Sequence, residues 1–166
     1  MVEWWAGIYV PTEMPTMIFV GRLLIAAILG AFIGIERESK DRPAGLRTHI
    51  LTSVAAATFT VITLEIVHSD LLNDDNVRAD PVRVIEAVTA GVAFLAAGAI
   101  IQGRARVQGL TTGAGMWLAG SIGVACGLGY MLIAAIATVI GLIAMVGLRQ
   151  FAHPAKQRRI EEQGEE

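Results

Sequence analysis

The sequence predicts an all-α polytopic membrane protein, a bundle of five transmembrane helices with the N-terminus outside and the C-terminus in the cytoplasm. Three observations predict it. Of 166 residues, 54% are hydrophobic and 17% charged, with a mean hydropathy of +0.59, whereas an average soluble domain is about 25% charged. The apolar residues form long uncharged runs, and Lys and Arg gather on alternate connections between them. The 18 glycines fit the same solvent, since transmembrane helices admit more Gly than soluble ones. A disordered chain and a basic nucleic-acid binder are excluded; the bilayer is the first partner, and nucleic acid is not one.

A bilayer core about 30 Å thick needs about 20 apolar residues at a rise of 1.5 Å each. Residues 1–15 are expected outside, with Trp4, Trp5 and Tyr9 suited to the headgroup layer. They lack the basic start of a secretory signal, so the first helix is expected to stay in the mature protein. That helix covers 16–35, interrupted only by Arg22. The second covers 50–67, interrupted by Glu65, and the third 82–101, interrupted by Arg83 and Glu86. Residues 107–148 are 42 positions without a charge; as one helix they would reach about 63 Å, twice the core. The chain must reverse, and Gly127-Leu128-Gly129 is the best place, because Gly accepts the positive φ that ends a helix. The fourth helix then covers 110–126, with Thr111 and Thr112 as its expected cap, and the fifth 130–148. A cytoplasmic tail fills 149–166.

The charges test this count independently. Cytoplasmic loops collect Lys and Arg, and ten cations fall on one side of a five-helix thread: Arg37, Lys40, Arg42, Arg47, Arg104, Arg106, Arg149, Lys156, Arg158 and Arg159. Only Arg78 falls in a connection on the other, where Glu3, Glu13, Asp70, Asp74, Asp75 and Asp80 accumulate. Four helices would leave the tail's four cations outside.

Lipid supplies little drive for helix association, so small residues that let backbones approach are the expected contacts. Gly30 and Gly34 mark the first helix, Gly91 and Gly98 the third, and Gly115, Gly123 and Gly127 the fourth, where i and i+4 share a face. Cys126 lies in the same uncharged run and reads as a packing residue. Five such helices enclose little, so a homo-oligomer is expected.

Residues 30–57, GAFIGIERESKDRPAGLRTHILTSVAAA, resemble the signature of the MgtC/SapB family. Asp80-Pro81-Val82-Arg83 followed by Gly91, Phe94-Leu95 and Gly98 resembles its third-helix pattern, and Gly109-Leu110-Thr111-Thr112 with Trp117 the start of its fourth. The third block departs from the family's Gly-rich form, reading Ala93-Phe94-Leu95-Ala96-Ala97-Gly98. The resemblance implies a bacterial inner-membrane protein linked to magnesium limitation and virulence. It further implies regulation of another membrane complex, such as the ATP synthase, rather than well-supported transport. Some members continue into a soluble α/β domain, whereas this chain ends in an acidic stretch after Arg158-Arg159-Ile160, so a short form is expected.

Two polar sets are candidate sites. A charge at mid-helix costs about 2.5 to 3.5 kcal/mol on insertion scales, so intramembrane ions need a partner or a wet cavity. Arg22, Glu65, Arg83 and Glu86 fall at similar depth near the outer boundary and are expected to cluster. The plainer reading pairs Arg22 with one glutamate; the sharper one makes Glu65 and Glu86 ligands of Mg2+, which is satisfied by one or two carboxylates and retained waters. No other cofactor is expected. The second set is the cytoplasmic loop, with Glu36, Arg37, Glu38, Arg47, Thr48 and His49 around a Pro43-Ala44-Gly45 turn. Positive-inside bias explains its cations but not its acids, which suggests a docking surface. An enzyme is not expected: His49, His68 and His153 show no metal-ligand spacing, and no nucleophile stands with a base. The competing function is a small cation transporter or channel, against which stand the odd helix count and ionisable groups near one face rather than at the midplane.

Overall fold

In hydrocarbon a backbone must satisfy its N–H and C=O groups internally, and the chain does so in five helices. A computed structural model describes residues 10–40, 42–69, 80, 82–101 and 109–163, with backbone alone for 101 and 148–163. The helices are α1 (Thr16–Glu38), α2 (Leu46–His68), α3 (Val82–Ile101), α4 (Leu110–Leu128) and α5 (Met131–Gln163). Trp4, Trp5, Tyr9, Asp70, Asp74, Asp75, Arg78, Arg104 and Arg106 lie outside the described residues, as do the tail's side chains.

Three of the five are long and apolar enough to cross a membrane: Thr16–Glu38, Leu46–His68 and Val82–Ile100, with Met131–Gly147 a shorter apolar helix. The protein is therefore all-α and multi-pass, with a span count of at least three. Helix α4 falls short in composition rather than length. Gly113, Gly115, Gly120, Gly123 and Gly127, with Thr111, Thr112 and Ser121, dilute its hydropathy. Those residues suit its position, because among the described residues α4 touches all four other helices, while α3 touches α2 and α4 alone, and α5 touches α1 and α4 alone.

Glycine makes these contacts close. A Cβ at Gly30 would stand 2.9 Å from the His49 carbonyl oxygen and from Ser53 Cβ, and one at Gly34 only 2.6 Å from Leu46 Cα. One at Gly127 would meet Thr60 Cβ at 2.6 Å, and one at Gly123 would overlap the Ser53 carbonyl. On the other side of α4, Gly120 meets Val92 of α3 at 2.9 Å. By contrast, a Cβ at Gly91 or Gly98 would meet nothing within 4 Å among the described residues.

The interior is small and partly polar. Ala26, Ile33, Ala57, Ile122, Cys126 and Ala134 form its fully buried cluster, and Thr60, Thr112 and Thr138 are buried among the helices. Large apolar side chains point outward instead: Met17, Phe94 and Leu132 are 83%, 80% and 74% exposed. A soluble monomer rarely presents so much apolar surface; a lipid-facing one must. On α2, Thr52, Thr58, Thr60 and Thr63 each donate their hydroxyl to the carbonyl four residues back, turning their methyl groups to the surroundings.

Several boundaries differ from the sequence expectation. Helix α1 continues through Glu38 and α2 begins at Leu46, because the helices outlast the hydrocarbon that the charge count detects. Helix α5 runs to Gln163, past the expected limit at 148. The cap of α4 is Gly109, at φ +87°, with no side-chain hydrogen bond, and Thr111 and Thr112 lie inside the helix. The reversal is at Gly129, φ +90°, where Gly129 N–H donates to Cys126 O at 3.0 Å and Tyr130 N–H to Ala125 O at 2.8 Å. That pair of bonds closes the last turn of α4 as a glycine C-cap does.

Candidate functional site

The α1–α2 turn gathers most of the buried charge among the described residues. The Arg37 carbonyl accepts the N–H groups of Lys40 at 3.2 Å and Arg42 at 3.3 Å, which curls the chain out of α1. The Glu36 carboxylate receives Arg37 and Lys40 together. Glu36 is 9% and Arg37 4% exposed. Removing one partner from a buried ion pair costs about 3–5 kcal/mol, so this set holds the turn as a unit. Glu38 works from outside: its carboxylate accepts the Leu46 N–H at 2.9 Å and so caps α2, whose N-cap Gly45 has no side chain to offer. A Cβ at Gly45 would overlap that carboxylate.

One turn into α2, His49 and Ser53 are completely buried. The His49 ring stands with Nδ1 2.8 Å from the Gly45 carbonyl oxygen, which fixes that nitrogen as the donor. Its Nε2 and the Ser53 hydroxyl have no hydrogen-bond partner among the described residues. Four helices meet here, since a Cβ at Gly115 of α4 would lie 3.1 Å from His49 Nε2 and 3.0 Å from Met145 Cε of α5, while Gly30 of α1 lies against the His49 backbone. Glu36 and Arg37 are within electrostatic reach of the ring.

The structure thus divides the six loop candidates. Glu36, Arg37 and His49 are inside, Glu38 and Arg47 are exposed, and Thr48 is half-buried with its carbonyl accepting the Thr52 hydroxyl at 2.8 Å. A partner approaching this end meets Glu38, Arg42, Pro43 and Arg47. Ser53 was absent from the sequence candidates; its signal was a hydroxyl four residues after His49 on the face that meets Gly30.

The intramembrane set is not brought together. Arg22 donates to the Gly127 carbonyl at 2.6 Å and lies against Gly129, where the free carbonyls of the α4 C-terminus favour a cation. The Glu65 carboxylate accepts Glu13 N–H at 2.6 Å and Met14 N–H at 3.0 Å, tying the end of α2 to the segment before α1. Arg83 and Glu86 are exposed on α3, which does not touch α1. Both Glu65 oxygens are therefore engaged by backbone. Among the described residues, no group of three or more His, Cys, Asp or Glu side chains is placed to hold a metal.

The MgtC family model matches residues 23–153. Protein MgtC of Salmonella typhimurium is 39% identical over 147 residues, covering 89% of this chain and 59% of that protein. An uncharacterized protein of Haemophilus influenzae is 33% identical, covering 86% and 62%. The Escherichia coli protein named putative magnesium transporter YhiD is 35% identical over 127 residues, covering 76% and 59%. The chain thus spans about three fifths of the length of these relatives. No solved structure matches.

Proposed function

The chain belongs to the MgtC family and is a multi-pass protein of the bacterial inner membrane, and on that premise we propose that it is a non-enzymatic regulator linked to magnesium limitation and virulence. It acts by docking to another membrane complex, such as the ATP synthase, through the cytoplasmic α1–α2 turn. The observation that carries this reading is the construction of that turn. The buried Glu36–Arg37 pair and the half-buried Lys40 tie the end of α1 to the turn, and Glu38, Arg42 and Arg47 are exposed around it, where a preorganised backbone loses little conformational freedom when a partner binds. Reversing Arg42 and Arg47 to Glu leaves the buried set intact. Crosslinking and affinity purification from native membranes should then lose the partner complex that the wild-type chain retains. Recovery of the same complex by the double reversal would refute docking through this turn.

The name of the Escherichia coli relative favours one alternative, a small magnesium transporter. Close glycine packing of α4 against α2 and the separate engagement of Arg22 and Glu65 speak against a polar path through one chain. Magnesium flux into proteoliposomes, abolished by Glu65→Gln and Glu86→Gln, would reverse the ranking.

A further inference from the structure

Helices α2 and α3 stand apart along much of their length and leave an outward-facing groove of about 540 Å³. The helices run antiparallel, so Arg83 and Thr63 lie at one end and Leu95 and Thr52 at the other, with Ala87, Gly91 and Phe59 between. We propose that this groove holds one acyl chain of an anionic phospholipid, with its phosphate on Arg83.

Three features favour that occupant. The lining between the ends is apolar, since Thr52 and Thr63 spend their hydroxyls on the Thr48 and Phe59 carbonyls at 2.8 and 2.9 Å and offer only methyl groups. From Arg83 to Leu95 the groove runs about 18 Å at 1.5 Å per residue, close to the roughly 15 Å of one leaflet. Among the described residues of the lining the single charge is the Arg83 guanidinium, at the end that the sequence places near the outer boundary, and a guanidinium is the group suited to bidentate phosphate recognition. Of the described acids nearby, Asp80 accepts the Val82 N–H at 2.9 Å and Glu86 is outside the lining.

The test is native mass spectrometry of the full chain in mild detergent, titrated with dioleoylphosphatidylglycerol or dioleoylphosphatidylethanolamine. The wild type should retain one phosphatidylglycerol, preferred about fivefold, the ratio corresponding to about 1 kcal/mol for one basic residue at a lipid headgroup. Arg83→Gln should remove the preference and leave weaker, equal retention of both lipids. Gly91→Leu should remove retention of both by filling the groove. The fold tolerates that side chain at its root, because nothing lies within 4 Å of a Cβ there, and unchanged helicity would confirm it. Equal retention of the two lipids by the wild type, or unchanged selectivity in Arg83→Gln, would overturn the proposal. So would a Gly91→Leu variant that keeps its lipid but loses a dimer, since the occupant would then be a second copy.

Discussion

Glycines that look alike in the sequence differ in what a methyl group would meet. At Gly34 a Cβ would stand 2.6 Å from Leu46 Cα and 3.0 Å from its carbonyl oxygen, backbone atoms that cannot rotate away. Gly34→Ala should therefore force α1 from α2 and destabilise the protein by about 1–3 kcal/mol, the usual range for overpacking. Gly98→Ala should leave stability within error, because a Cβ there meets nothing within 4 Å among the described residues. Thermal unfolding of both in the same detergent, followed by tryptophan fluorescence, checks the contrast; equal melting temperatures would contradict the packing described. Ser53 makes a second case. Its buried hydroxyl has no partner among the described residues, and a buried polar group without a hydrogen bond is unfavourable. Ser53→Ala removes the hydroxyl and keeps the Cβ that touches Gly30, so it should unfold at the same temperature as the wild type or higher. A clear loss of stability would mean that the hydroxyl is bonded in the membrane.

At the scale of elements, the α4–α5 reversal rests on Gly129, and it is where the sequence was most legible. A run of uncharged residues too long for one crossing demanded a turn, and Gly is the residue that turns without strain. Gly129→Ala should cost about 1–2 kcal/mol for the left-handed backbone alone. It should cost more because a Cβ would sit 2.8 Å from the Arg22 guanidinium, displacing its bond to the Gly127 carbonyl. Arg22→Gln in the same assay should lose only that bond, so Gly129→Ala should be the more destabilised of the two; the reverse order would locate the main strain elsewhere. Other elements were less legible for a physical reason. Charge marks where hydrocarbon ends, whereas a helix ends where its carbonyls find other partners. Glu36, Arg37 and His49 therefore read as a loop although they are helical and buried. The expected meeting of Arg22, Glu65, Arg83 and Glu86 assumed that equal depth implies proximity. Depth gives one coordinate of three, and the absence of contact between α3 and α1 lies in the other two.

For the whole molecule, the architecture argues for five crossings. A helix at the centre of a bundle is shielded from lipid by its neighbours, so it is free to be rich in Gly and Thr; α4 touches every other helix and is buried along Gly115, Ala119, Gly123 and Gly127. Its modest hydropathy therefore reflects position and is no reason to leave it outside the membrane. The reversal at Gly129 then sends α5 back beside it, and the apolar part of α5, Met131–Gly147, would reach about 26 Å at 1.5 Å per residue, near the thickness of the core. We expect alkaline phosphatase to be active when fused at the N-terminus and inactive at the C-terminus, with a fluorescent protein reporting the opposite pattern. A cysteine introduced at the exposed Arg47 should react with a membrane-permeant thiol reagent and resist an impermeant one, the native Cys126 being buried. Both termini in one compartment would mean an even number of crossings. The α1–α2 turn would then have to be assigned by its cysteine alone, and labelling of position 47 from outside would remove it from the reach of any cytoplasmic partner.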